Sequence, residues 1–225
     1  MTITLTHDDK IAVLDLGDSE NRFSPEFLDE MDSQLDELVA SGAQGLVTTG
    51  AGKFYSNGLD LDWLTAHGDQ TTWYVGRVQG MLARILTLPI PTAAAVVGHA
   101  FGAGAMLAIA HDFRVMRSDR GYFCFPEVDI RIPFTPGMAA LIQAKLTPQA
   151  AVASMTTGRR FGGDDAASLG IVDAVAGEGA VTAAAIDLLR PLNGKDQGTL
   201  GAIKQTMFGP ASQTLTVSSQ QPQSN

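Results

Sequence analysis

The chain has 225 residues, 45% hydrophobic and 17% charged, with 24 glycines; that excludes a disordered polypeptide and fits one large domain or two small ones around a substantial core. A formal net charge of −9 disfavours nucleic acid or an anionic membrane surface as partner, while an anionic small molecule needs only a local basic cluster, for which Arg22, Lys53, Arg77 and Arg84 are available. No apolar run is long enough to cross a membrane, MTITLTHDDK has no basic-then-apolar export pattern, and the single cysteine, Cys124, excludes an internal disulfide, so a cytoplasmic protein is expected.

Residues 2–6 alternate and residues 11–16 are an apolar run, with Asp8-Asp9 suited to a hairpin turn between them. Ser24-Pro25-Glu26 is a helix start, and Phe27, Leu28, Met31, Leu35 and Leu38 then share one face. GLVTT at 45–49 is the next strand, and 71–88 reads as a long helix ended by Pro89 and Pro91. The apolar run 93–97, between Pro91 and Gly98, has the pattern of a strand buried on both faces. The helix expected over 103–111 has almost no polar face and must be interior. Strands are expected at 113–116, 122–125 and, by alternation, 128–132. Helices follow from Thr135-Pro136-Gly137, over 148–156 and over 164–168, before a strand at 170–175. From Gly177 the chain reads as alanine-rich helix, then a polar segment, 212–225, expected to fray. No domain-breaking linker precedes about Asn193, so residues 1–190 are expected to form a core and 191–225 a short helical segment and tail.

Two stretches carry chemistry. In GHAFGAG, the glycines Gly98, Gly102 and Gly104 stand where a strand opens into an interior helix, and the first N–H groups of such a helix need a partner from a side chain, water or ligand. Glycines leave those N–H groups uncovered, which is the make-up of a site for negative charge; tight helix–sheet packing would need the same residues. The second stretch, AGKFYSNGLDLDWL at 51–64, is a glycine-flanked turn containing Ser56, Asn57 and Gly58 before an amphipathic start. Alone it is compatible with an ordinary Asn-Gly turn. A nucleotide-binding βαβ reading fails, because the glycines do not follow G-x-G-x-x-G and come late in the chain.

Together, about forty residues apart, the two stretches resemble the crotonase superfamily of enoyl-CoA hydratases and isomerases, whose signatures are F-S-x-G-x-D-L and G-x-A-x-G-G-G. The helix after Asn21, the strand GLVTT, the segment FPEVDIRIP and the late LGIVDAV extend the resemblance over most of the chain. It implies an α/β fold, a spiral of ββα turns with helical C-terminal elements, assembled as trimers or paired trimers. It also implies an acyl-CoA thioester substrate, a place in fatty-acid β-oxidation, and no cofactor beyond the coenzyme A carried by the substrate. By position, the backbone N–H groups of Leu59 and Ala103 correspond to the family's oxyanion hole, with Ser56, Asn57, Gly58, Asp60 and Gly102 around it and Arg22 and Lys53 for the coenzyme. Ala103 replaces a glycine, which is tolerable if its φ is negative.

Side chains decide the reaction the resemblance implies. A hydratase of this family uses two glutamates, and the first position here is Met106, a thioether that cannot act as a base. The second is Glu127, which is present. One carboxylate beside an oxyanion hole is the arrangement of the family's Δ3,Δ2-enoyl-CoA isomerases, and burial against Phe125, Pro126 and Val128 is expected to raise the Glu127 pKa. A surface carboxylate is the plain alternative for Glu127, with Asp129 a second candidate base. His99 and His111 read as structural, Asp60 as a cap and Cys124 as a buried hydrophobe without a nearby base. A hydratase using Glu127 alone and a non-catalytic acyl-CoA binder are the competing functions. The segment IRIPFTPG, which replaces the family's commoner LG-x-x-P-x-x-G, implies a different pocket shape near Glu127.

Overall fold

The computed structural model describes residues 3–217. The N-terminal strands β1 (Thr4–Asp8) and β2 (Ile11–Asp15) form the expected hairpin, turning through Asp9 at φ 54°; β3 (Arg22–Phe23) and α1 (Pro25–Ser41) follow. Ser24 caps α1 by accepting from Phe27 N, and Gly42, at φ 70°, ends it. The second unit is β4 (Gly45–Thr49), β5 (Phe54–Ser56), β6 (Gly58–Leu59), α2 (Leu61–Ala66) and α3 (Thr71–Leu86). The third is β7 (Thr92–Val96), β8 (His99–Phe101) and α4 (Ala103–Ala110); the fourth is β9 (Phe113–Arg117), β10 (Phe123–Cys124) and α5 (Glu127–Ile130). Then come α6 (Pro136–Lys145), α7 (Pro148–Met155), α8 (Gly163–Ser168), β11 (Ala174–Ala176), α9 (Val181–Leu189) and α10 (Gln197–Val217).

The first unit gives two strands, β1 and β2, to a large sheet and each of the next three gives one, while each of the four gives one or two short strands to smaller sheets. The large sheet runs β1-β2-β4-β7-β9-β11, parallel except for the β1–β2 pair, while β10-β8-β5 and β3-β6 form two small parallel sheets. This is the ββα spiral implied by the resemblance. Both faces of the large sheet are covered, which is why its strands read as unbroken apolar runs. On one face Ile11, Val47, Ala93, Ala95 and Val115 meet Val181, Ala185 and Leu189 of α9; on the other Leu14, Leu46, Ala94 and Met116 join the main core with α1, α3 and α4.

Three expectations are corrected. Residues 128–132 are no strand: Asp129 N and Ile130 N donate to Pro126 O, Arg131 turns left-handed at φ 60°, and the alternating Val128, Ile130 and Ile132 stay exposed with no strand beside them. The strand expected at 170–175 is confined to β11, because Gly170, at φ 69°, closes α8 with Gly170 N donating to Ala167 O and Ile171 N to Ala166 O. Residues 212–217 belong to α10 and are ordered by tertiary contact, residues 218–225 lying outside the described ones. Phe208, Ala211 and Leu215 share a buried face against the core, so the helix runs through Pro210.

Lys204, 3% exposed, ties α10 to the sheet by donating to Ile90 O at 2.7 Å and pairing with Asp112 at 2.6 Å. Leu215→Ala should therefore cost about 2–5 kcal/mol in urea unfolding; a loss below about 1 kcal/mol would show that α10 contributes little to the fold.

Candidate active site

The Asn-Gly turn between β5 and β6 is held from beneath by side chains. Ser56 Oγ donates to Asn21 O at 2.7 Å and accepts from Gly58 N at 3.1 Å, while Asn21, left-handed at φ 49°, donates through Nδ2 to Tyr55 O at 3.0 Å. Tyr74 OH accepts from Asp60 N and donates to Phe23 O, fixing the strand that follows the turn. Asp60 caps α2 by accepting from Trp63 N, as expected.

The second turn joins β8 to α4. Gly102 takes φ 52° and ψ −123°, so the left-handed residue is a glycine and Ala103 opens the helix without positive φ. Gly102 N donates to Cys124 O and Met106 N to Gly102 O, whereas Ala103 N finds no acceptor among the described residues. All eight residues of α4 are buried, so its amino end meets no bulk water within the fold.

The two turns are in backbone contact. A β-carbon on Gly58 would stand 2.7 Å from Phe101 O and 2.9 Å from Ala103 N, and one on Gly104 would collide with Ser56 O and stand 2.7 Å from Ser56 C. Only glycine fits at either position.

Glu127 faces this junction. It opens α5 with 8% exposure, its Oε1 lies 3.6 Å from where a Gly102 β-carbon would be, and Oε2 is buried with no hydrogen-bond partner. Burial pushes its pKa up to about 7, against a small opposing pull from its own N–H. The Gly102 turn lies against the carboxyl, and of the residues expected to bury it Phe125 is fully buried whereas Val128 is 51% exposed. A cavity of about 330 Å³ is lined by Asn57, Leu59, Phe101, Gly102, Ala103 and Glu127, with Arg22 and Asp62 also on its wall. A second cavity, of about 470 Å³, touches the other side of Glu127 along Val128, Ile132, Phe134 and Met155.

Of the residues singled out in the sequence, Arg22, Asn57, Leu59, Gly102, Ala103 and Glu127 come together on that cavity. Ser56 and Gly58 shape the turn from behind, Asp60 serves as a cap, and Met106 is sunk in the main core at 1% exposure, so none of these four lines the space. Lys53 is exposed, its ammonium over the Phe54 ring at 5.2 Å. The expected basic cluster does not form. Arg77 binds Asp29 and Asp32, Arg84 binds Asp36 and Asp32 O, and Arg22 is shared between Glu20 and Asp62. Pro126, Ile130 and Ile132, from the segments expected to shape the pocket near Glu127, also line the cavity; Phe101 was not anticipated, since only the pairing of β8 with β5 and β10 brings it there.

His111 is structural, bonded to Thr48 Oγ1 and Leu107 O and held neutral by burial with its pKa near 4. Cys124 is buried, its thiol pushed up to about 11.

A ββα spiral with two interlocked glycine turns and a buried glutamate above them defines a crotonase-type fold. The model of the enoyl-CoA hydratase/isomerase family matches residues 6–225. The chain is 38% identical over 169 residues to enoyl-CoA delta isomerase 2, peroxisomal, of Arabidopsis thaliana, covering 71% of this chain and 70% of the relative. It is 34% identical over 213 residues to enoyl-CoA delta isomerase 1, peroxisomal, of the same plant, covering 91% and 89%. Among solved structures, a probable enoyl-CoA hydratase from Mycobacterium tuberculosis H37Rv superposes with a TM-score of 0.91 at 25% identity, covering 97% of this chain and 93% of that one. The chain belongs to the enoyl-CoA hydratase/isomerase family and is an acyl-CoA-processing enzyme.

Two measurements follow from this geometry. Gly58→Ala, at φ 78° and against the Ala103 backbone, should cost on the order of 2–4 kcal/mol in thermal or urea unfolding, and a neutral effect would mean the turns do not touch. Because Glu127 titrates near 7 when folded and near the ordinary 4.5 when unfolded, the folded chain keeps a proton that the unfolded chain loses. Its contribution to stability, on the order of 3 kcal/mol, is complete below about pH 4.5 and is lost as pH rises through about 7. Glu127→Gln should flatten that part of the stability–pH curve.

Proposed function

We propose that the enzyme is a Δ3,Δ2-enoyl-CoA isomerase in which Glu127 moves one proton along a 3-enoyl thioester. The observation that carries this reading is Glu127 itself, nearly buried, with one oxygen unpartnered, on the same cavity as Leu59 and Ala103. A base acting on a carbon acid must be ionised at working pH and still hold the proton it takes; a carboxyl lifted to about 7 meets both demands.

In this mechanism the thioester oxygen accepts from the main-chain N–H groups of Leu59 and Ala103. Glu127 takes a proton from C2, and the electron pair of the broken C–H bond forms the C2–C3 double bond as the former C3–C4 pair moves to C4 through the dienolate. The proton returns at C4, so Glu127 ends as it began. Charge on the dienolate oxygen rests on the two amides, each worth roughly 3 kcal/mol in a dry site. Arg22 and Lys53 serve the coenzyme end, and the chain assembles as a trimer or a pair of trimers.

Hydration would call for a second carboxylate to hold and activate water. Met106 stands at the family's position for it, and the other acid on the cavity, Asp62, has an 89% exposed side chain bonded to Arg22 at 2.6 Å. The names of the two plant relatives favour the isomerase as well.

With 3-hexenoyl-CoA, Glu127→Gln should lower kcat by about 10²–10⁴-fold with little change in KM. The wild-type rate should rise with pH through about 7 as Glu127 ionises, and the variant should lose that dependence. Faster hydration of crotonyl-CoA than isomerisation of 3-hexenoyl-CoA would make the protein a hydratase, and tight binding of both without turnover would make it a carrier.

A further inference from the structure

At the amino ends of β7 and β9, α10 and the end of α6 line a third cavity, open and largely apolar, of about 480 Å³. That volume lies in the range of about 300–1,000 Å³ typical of small-molecule sites. Its walls include Leu192, Leu200, Ile203, Met207 and Phe208, and Ile203 and Met207 are 49% and 61% exposed although they face one another's turn of the same helix.

Three lysines line this space, Lys195 exposed at its rim and Lys145 and Lys204 deeper. Lys204 is fully accounted for by Ile90 O and Asp112. Lys145 is not. Among the described residues it has no hydrogen-bond acceptor and no carboxylate within 4.0 Å, and its ammonium lies over the face of Phe208, 4.6 Å from the ring centroid. The neighbouring acids are already engaged, Asp112 by Lys204 and Asp173 by Arg114 at 3.0 Å. Asp196, on the cavity rim, accepts from Thr199 N at the start of α10, and Lys195 beside it adds a further positive charge. The cavity thus carries an excess of positive charge inside a chain of net charge −9. Burial, with Arg114 and Lys204 close by, lowers the Lys145 pKa to about 8, and the group stays an ammonium at neutral pH.

We propose that this cavity binds an amphiphilic carboxylate of the medium-chain fatty-acid class, its carboxylate on Lys145 Nζ and its chain along Leu200, Ile203 and Met207. Lys145 is the part-buried ammonium on the wall without a carboxylate partner, while Lys195 is exposed at the rim, so a single carboxylate head group suits the site. The apolar walls select a hydrocarbon tail over a sugar or nucleotide. Such a ligand supplies the acceptor Lys145 lacks and covers the two exposed side chains of α10. The site is separate from the acyl-CoA cavity and uses none of its residues.

Calorimetric titration of the full chain with octanoate tests this. One octanoate should bind per chain, at least tenfold more tightly than octanol, which has the same tail without the charge. Lys145→Met should lower octanoate affinity at least tenfold, and Ile203→Trp, which narrows the space and keeps the charge, should lower it too, both with wild-type binding of acetyl-CoA. The octanol comparison needs no variant and stands if either substitution unfolds the chain. No octanoate binding, equal affinity for octanoate and octanol, unchanged affinity in Lys145→Met, or displacement by acetyl-CoA, which would put octanoate in the Glu127 cavity, overturns the proposal.

Discussion

Everything at the candidate site depends on one steric constraint, the meeting of two backbones at Gly58 and Gly104. Neither position has room for a β-carbon: Phe101 O and the Ala103 amide block one, the Ser56 carbonyl the other. Backbones this close hold the amino end of α4 beside the β5–β6 turn without any long side chain between them. A side-chain donor has rotamer freedom to lose on every turnover, whereas an amide at the start of a buried helix has its direction fixed by the fold. The cost falls on the scaffold, which must accept Gly102 in a conformation closed to other residues and a helix end left without an internal partner.

The electrostatics of the site follow from what surrounds Glu127. Desolvation is the largest influence on its carboxyl, and no cation bonds to it. Were Arg22 paired with it, the pKa would fall and the group would be a poor proton acceptor. Arg22 is instead occupied by Glu20 and Asp62, which lowers the Glu20 pKa and leaves Glu127 alone in an apolar wall. The acidic residues of the rim and the absence of a partner at the centre are therefore parts of one arrangement.

Much of this was legible in the sequence, and the failures have physical causes. The long elements α1, α3 and α4 and the buried strands β4 and β7 announce themselves because periodicity and unbroken apolar runs report burial directly. Leu59, Ala103 and Glu127 are singled out only through the resemblance of the two glycine stretches and of FPEV to the family's motifs, since backbone amides leave no mark in side-chain identity, and the fold brings all three onto one cavity. The alternation Val128, Ile130, Ile132 misled because an exposed short helix after a proline can carry the same pattern as a half-buried strand. The end of α10 was misread because Pro210 and a run of polar residues hide a stripe of Phe208, Ala211 and Leu215 that only a partner surface makes meaningful. The expected basic cluster failed for a further reason: charge sign is visible in a sequence, but the aspartates of α1 that neutralise Arg77 and Arg84 are 45 to 52 residues away.

That neutralisation bears on how an anionic thioester is held. With Arg77 and Arg84 stapling α3 to α1, the chain has few uncommitted cations near the cavity, and coulombic attraction over a surface of net negative charge is weak and screened within about 10 Å. In the proposed mechanism recognition then rests on short-range contacts: apolar walls for the acyl part, fixed amides for the thioester oxygen, and a guanidinium at Arg22 whose direction is set by two carboxylates. Such a site discriminates by shape and hydrogen-bond geometry more than by charge, and the same rigidity that aligns the amides makes it sensitive to changes in the backbone at Gly58 and Gly104.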